Sequence, residues 1–188
     1  INNNVFMKKK VLYSLLLIVS LFLVYVVYVV NNPVSPLKTV SFLENSNDIT
    51  ITYSAPFKKN RLIFGMESES PLVPFNKYWR TGANRHTMIK TNTDLKFIDN
   101  ILKAGEYSMY TVPGKNSWDI TFNSTNAYFG ISQPSSDMDL FTISVPSNSL
   151  EETIEQFTID FIPSPPGGPS SSAIILRWDL TEIVIPFN

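Results

Sequence analysis

The sequence predicts an all-β domain, an antiparallel β-sandwich, preceded by one N-terminal transmembrane helix. Two observations predict it. An uncharged run begins at Val11, directly after Lys8-Lys9-Lys10, and ends at Val30; beyond it, apolar and polar residues alternate with a period of two. At about 1.5 Å rise per residue the uncharged run makes a helix of about 30 Å, the thickness of a bilayer's hydrocarbon core.

The run closes on Tyr25-Val26-Val27-Tyr28-Val29-Val30, bulky throughout, whereas a cleaved signal peptide needs a shorter apolar run and small residues before its cleavage point. An uncleaved signal anchor is therefore expected, with the lipid bilayer as its partner. Tyr13, Tyr25 and Tyr28 lie near its two ends, where aromatic rings prefer the headgroup level. No glycine or alanine interrupts the span, so no small-residue packing seam is expected. Three lysines precede the span and only Lys38 follows closely, and by the positive-inside rule the N-terminus stays in the cytoplasm. In a bacterium this is a single-pass inner-membrane protein with a periplasmic C-terminal domain. Met7 is the first methionine, which makes residues 1–6 an expected upstream extension.

The expected organisation is a cytoplasmic N-terminus over residues 1–10, the anchor over 11–30, a linker over 31–38 and the exported domain over 39–188. Pro33 and Pro36 make the linker an extended stalk. Within the domain, Ile49, Ile51 and Tyr53 alternate with threonines, and Trp118, Ile120 and Phe122 with Asp119, Thr121 and Asn123. Phe141, Ile143 and Val145 repeat the pattern, as do Phe157, Ile159 and Phe161. It recurs through Ile174, Leu176, Trp178 and Leu180 and through Ile183, Ile185 and Phe187. Such strands have one buried and one wet face, as in two packed antiparallel sheets. Asp99-Asn100 is expected to turn one hairpin and Pro113-Gly114-Lys115-Asn116 another. Residues 163–172 read as a loop, and short helical turns are expected around Pro74 or around Ser149-Leu150-Glu151-Glu152.

Composition excludes several chemistries. Removing the three N-terminal lysines leaves twelve basic against sixteen acidic residues, a net charge of about −4, and no basic stripe for nucleic acid. The absence of cysteine removes disulfides and thiolate sites, and one histidine cannot build a His-rich metal centre. Asp137 and Asp139 are too few for calcium, and no G-x-S-x-G elbow occurs. No cofactor or metal is expected.

The densest cluster is Tyr78-Trp79-Arg80-Thr81-Gly82-Ala83-Asn84-Arg85-His86-Thr87. Trp79 offers a flat apolar face, Arg80 a five-donor fork for carboxylate or phosphate, and Asn84 a paired donor and acceptor. Candidate ligand- or partner-binding residues are Tyr53, Trp79, Arg80, Asn84, His86 and Trp118, with none assigned to catalysis. The competing reading places Trp79 in the core, pairs Arg80 with an internal carboxylate and makes residues 82–84 a turn.

The strings Tyr53-Ser54-Ala55-Pro56, Arg61-Leu62-Ile63-Phe64-Gly65 and Val73-Pro74-Phe75, then Trp79-Arg80-Thr81-Gly82-Ala83-Asn84, carry a resemblance. It continues through Leu102-Lys103-Ala104-Gly105-Glu106-Tyr107-Ser108, Thr111-Val112-Pro113, Trp118-Asp119-Ile120-Thr121-Phe122-Asn123 and Trp178. Over residues 40–187 the chain resembles the bacterial domain-of-unknown-function family 2911, whose members look like secreted or membrane-anchored proteins common in Bacteroidetes. The resemblance implies export and a β-rich fold and supplies no activity. Ala55 stands where the family usually has arginine, Arg85-His86 where it has an acidic residue and alanine, and residues 67–70 look like a small insertion. Three roles fit: a membrane-tethered binding or protein-interaction module, an accessory subunit of a larger membrane complex, or a hydrolase working through a carboxylate and Arg80.

Overall fold

The computed structural model describes residues 2–44, 47–125, 132–166 and 171–188, with the side chains of residues 2–6 excepted. Ile1, and residues 167–170 of the expected late loop, lie outside the described residues. The chain forms two compact units, residues 1–34 and 35–188.

The first unit is the helix α1, Asn2–Asn31. Its stretch from Met7 to Asn31 is long and apolar enough to cross a membrane once, and its side chains are exposed all round. The hydroxyl of Ser20 donates to the Leu17 carbonyl at 2.8 Å, which satisfies a polar group inside an apolar helix. At the C-terminus, the Asn31 and Asn32 side-chain amides fold back onto the carbonyls of Val27 and Tyr28 at 2.8 and 2.9 Å. These carbonyls belong to the end of the helix, where the Asn32 N–H also bonds Tyr28 O at 3.0 Å, and Pro33 stops the helix beyond them.

The second unit is built mostly of strands, with no α-helix among its described residues. Its main sheet contains β1 (Leu37–Glu44), β2 (Asn47–Ser54), β5 (Thr87–Thr91), β8 (Gly105–Pro113), β9 (Ser117–Asn123), β10 (Asp139–Ile162) and β11 (Ser172–Phe187), hydrogen-bonded in that order. All neighbours are antiparallel. Between β2 and β5 the chain makes an excursion with a short parallel pair, β3 (Phe64–Gly65) and β4 (Val73–Pro74). The expected insertion at residues 67–70 forms an exposed 3-10 turn, Glu67–Glu69, held by the Glu69 carboxylate accepting from the Met66 N–H at 2.7 Å. A hairpin of β6 (Leu95–Phe97) and β7 (Asn100–Leu102) follows β5. Its turn residues are Ile98 and Asp99, one position earlier than expected, and Ile98 has φ 55°, unusual for a β-branched residue.

The all-strand expectation holds, and β1 begins at Leu37, inside the expected linker. The hydrogen bonds, however, draw one seven-stranded sheet rather than two stacked ones. The reason lies in β10, a single 24-residue strand covering both the 141–145 and 157–161 alternations. Its first part pairs with β9 and, from Ser147 on, it pairs with β11 instead, through two register shifts between Ser149 and Thr158. Bulges bend and twist a strand, and here the sheet curls until the far end of the β10–β11 hairpin meets β1 and β2. The Phe157 N–H donates to Pro56 O at 2.9 Å and the Lys58 N–H to Glu155 O at 2.7 Å. Lys38 Nζ reaches Gln156 Oε1 at 2.8 Å. Ser149-Leu150-Glu151-Glu152 is therefore strand and not a helical turn, and no helix forms around Pro74.

The core fills the curl. Ile49, Ile51, Ile89, Met109, Ile120, Phe122, Ile159 and Ile185 are buried, at every second position of their strands as period two requires. At one end Trp79, Trp118 and Trp178 gather around Phe64 and Phe157, with ring centroids 5.0–6.0 Å apart.

Candidate functional site

The six residues singled out in the sequence do not converge on one surface. Tyr53, Trp79 and Trp118 point into the core and are almost fully buried. Tyr53 exchanges hydrogen bonds with the Ile159 backbone, accepting from its N–H at 3.0 Å and donating to its carbonyl at 3.3 Å, so the phenol ties β2 to β10. Trp118 packs against Phe64 at 5.0 Å. Trp79 stacks on Trp178 at 5.8 Å and 18°. The structure uses all three as core residues, on the apolar phase of their alternation with wetter neighbours.

Arg80, Asn84 and His86 lie on a loop with a clear physical origin. Trp79 pairs with Thr111 of β8, and Thr87 at the start of β5 pairs with Met109 of β8. The segment around Trp79 and strand β5 thus occupy one lane beside β8, and residues 81–85 leave that lane and return to it. Extending both registers by one residue sets Arg80 and His86 level with Tyr110. Positive φ values at Thr81, Gly82 and Asn84 turn the loop. Gly82 sits where an added Cβ would lie 2.7 Å from the Ser54 carbonyl oxygen. Trp79 Nε1 donates to Gly82 O at 3.0 Å, Thr81 Oγ1 to Thr111 Oγ1 at 3.1 Å, and Thr87 Oγ1 to Thr81 O at 2.6 Å.

Most of the Trp-Arg-Thr-Gly-Ala-Asn string is thereby accounted for as loop construction. Trp79, Thr81 and Gly82 hold the turn, and the Ala83 N–H donates to Ser54 O at 3.2 Å. Asn84 is exposed at the tip with φ 58°. Arg80 is different. It is half-buried, and among the described residues neither a hydrogen bond nor an ion pair engages its guanidinium. The expected internal carboxylate partner is absent from its surroundings, and the residues outside the described set carry no acidic side chain.

Around Arg80 stand residues that the sequence reading passed over as ligands. With Trp79 turned inward, Tyr78 and Arg80 share the opposite side of their segment. The Tyr78 ring lies 5.3 Å from Tyr110 and 6.4 Å from His86. Burial pushes the Tyr78 phenol up to about 12, against the lowering effect of the Arg80 charge. The Tyr78 hydroxyl is shielded from solvent and makes no hydrogen bond, as does the Ser108 hydroxyl on the same face of β8. Tyr110 donates to Asp139 Oδ2 at 2.7 Å, and burial together with that bond raises it to about 12. Asn123 Nδ2 donates to Asp139 Oδ1 at 2.7 Å and to Ser135 O at 2.9 Å, which occupies Asp139 as a structural acceptor. The signal for Tyr78 was the alternation Tyr78-Trp79-Arg80 itself.

His86 is 1% exposed, and its Nε2 donates to Ser132 O at 3.0 Å. Burial lowers its pKa, the Ser132 bond opposes this, and the Arg80 charge adds to the lowering. A titration prediction follows. The unfolded imidazole takes up a proton near its ordinary value of about 6.5, whereas the folded one does so only at lower pH. The unfolded state therefore binds more protons below that value. Stability is expected to be full above about pH 6.5 and to decline as the pH falls. Urea midpoints at pH 7.5, 6.5 and 5.5, read by tryptophan fluorescence, measure it, and His86→Gln should flatten the decline because this is the chain's only histidine.

The family model described as a protein of unknown function, DUF2911, matches residues 35–187. The chain belongs to this family. No curated protein and no solved structure matches the chain. The match covers the β unit up to residue 187, and it is the family that the sequence resembles. In this DUF2911 domain the string builds the loop that carries Arg80.

Proposed function

We propose that this protein is a binding module held at a membrane, presenting the Arg80 loop to a partner or small ligand. In this reading α1 crosses a bacterial inner membrane once, Lys8-Lys9-Lys10 remain cytoplasmic, and the DUF2911 domain is displayed on the periplasmic side. The uncharged helix and the lysines before it support the tether. The observation that carries the binding role is Arg80: on a half-buried residue, its guanidinium has no acceptor among the described residues and keeps five donors in a rigid fork.

Two measurements test the reading. Protease added to intact spheroplasts should degrade the β unit, and protection would overturn the topology. Crosslinking of the full chain in the membrane should give adducts that Arg80→Ala abolishes and Arg85→Ala retains, because Arg85 is exposed on the same loop. Adducts indifferent to Arg80→Ala would move the contact away from this loop.

A further inference from the structure

We propose that Arg80, with Tyr78 beside it, forms a binding site for a small oxyanion, a carboxylate or phosphate group, on the face of β8 opposite the core. The inference rests on the binding role assigned above to the Arg80 loop and names its ligand chemistry.

The groups on this face are mismatched in one direction. Arg80 supplies a permanent cation and five N–H donors, and the described residues offer it no acceptor. The Tyr78 hydroxyl is a second donor, enclosed and without an acceptor. The Asp139 carboxylate, bonded to Tyr110 and Asn123, makes no ion pair with Arg80. His86 stays neutral close to Arg80, so it adds no repulsion toward Arg80 and does not neutralise it. A site with surplus donors, one fixed positive charge and no carboxylate paired to it is complementary to an oxyanion. Planar carboxylates and phosphates match the guanidinium fork in two parallel hydrogen bonds. The enclosed Tyr78 hydroxyl lacks an acceptor, which costs stability, and an anion seated on Arg80 beside it supplies one.

The geometry is also held in advance. Arg80 follows Trp79, whose backbone exchanges hydrogen bonds with Thr111 at 2.8 and 2.9 Å and whose indole closes the loop on Gly82. The Tyr78 ring packs on Tyr110 at 5.3 Å, which fixes the position of the enclosed Tyr78 hydroxyl.

Calorimetric titration of the full chain in a nonionic detergent, at constant ionic strength, tests the proposal with inorganic phosphate in one arm and succinate in the other. Saturable binding is expected in at least one arm, and the stronger arm identifies the oxyanion class. Arg80→Gln should weaken it by about tenfold or more, Arg80→Lys by less because the charge stays while the fork is lost, and Arg85→Gln should leave it unchanged. Tyr78→Phe should weaken it several-fold. Binding of neither anion, or binding unaffected by Arg80→Gln in a variant with unchanged tryptophan fluorescence, would overturn the site. If the membrane crosslinks still depend on Arg80 while neither anion binds, the binding module stands and the oxyanion assignment falls. Loss of both removes the role of the loop altogether.

Discussion

Trp79→Ala is expected to destabilise the β unit by about 4 kcal/mol, the cost typical of deleting a large aromatic side chain from a packed core. Trp79 touches Phe64, Trp118, Phe157 and Trp178, which come from separate parts of the fold, and the cavity left by its indole cannot close without moving several of them. The substitution also removes the donor to Gly82 O, so the loop carrying Arg80 loses its closure. Urea unfolding followed by tryptophan fluorescence reports on this unit alone, because all three tryptophans lie in it. Where Trp79→Ala leaves too little folded protein, Trp79→Phe should retain the ring contacts in part and lower the midpoint less. A loss below about 1 kcal/mol for the alanine variant would show that the indole is peripheral to the core.

Gly82→Ala is expected to cost about 3 kcal/mol, for a reason distinct from packing. Gly82 has φ 147°, which side-chain-bearing residues rarely adopt. The new methyl would meet the backbone oxygen of Ser54 at 2.7 Å, and a backbone atom in a paired strand cannot rotate away as a side chain can. Relief requires the loop to lift from β2, which breaks the Ala83 N–H bond to Ser54 O and alters the Trp79 indole bond. The variant should therefore combine a lowered urea midpoint with a changed environment for Trp79, seen as a shifted emission maximum. An unchanged midpoint would mean that the loop is free of β2 in solution.

Legibility differed sharply among the candidate residues. Tyr53, Trp79 and Trp118 were conspicuous because large aromatic residues are rare and chemically versatile, yet each lies on the apolar phase of its own alternation. Phase is the stronger signal, and it places all three inside. Arg80 was legible as a fork suited to anions, but its lack of a carboxylate partner was not, because the nearest acidic groups are remote in sequence and reach or miss it only through folding. Tyr110 and Asp139 are 29 residues apart and meet through the β8–β9–β10 register. No local spacing announces that pair.

The helix and the strand content were decided by local rules that a single chain segment obeys by itself: an uncharged stretch of bilayer length, and side chains alternating along extended backbone. How the strands are arranged was not local. Alternation is identical whether successive strands stack as two sheets or curl as one, because both put every second side chain inside. The choice fell to β10, whose register shifts allow one strand to leave β9 for β11 and bring the hairpin back to β1 and β2. The pairing of Trp79 and of β5 with β8 likewise gathers Tyr78, Arg80 and His86 beside Tyr110 on the face of β8 away from the core, a convergence produced by hydrogen-bond register between distant segments.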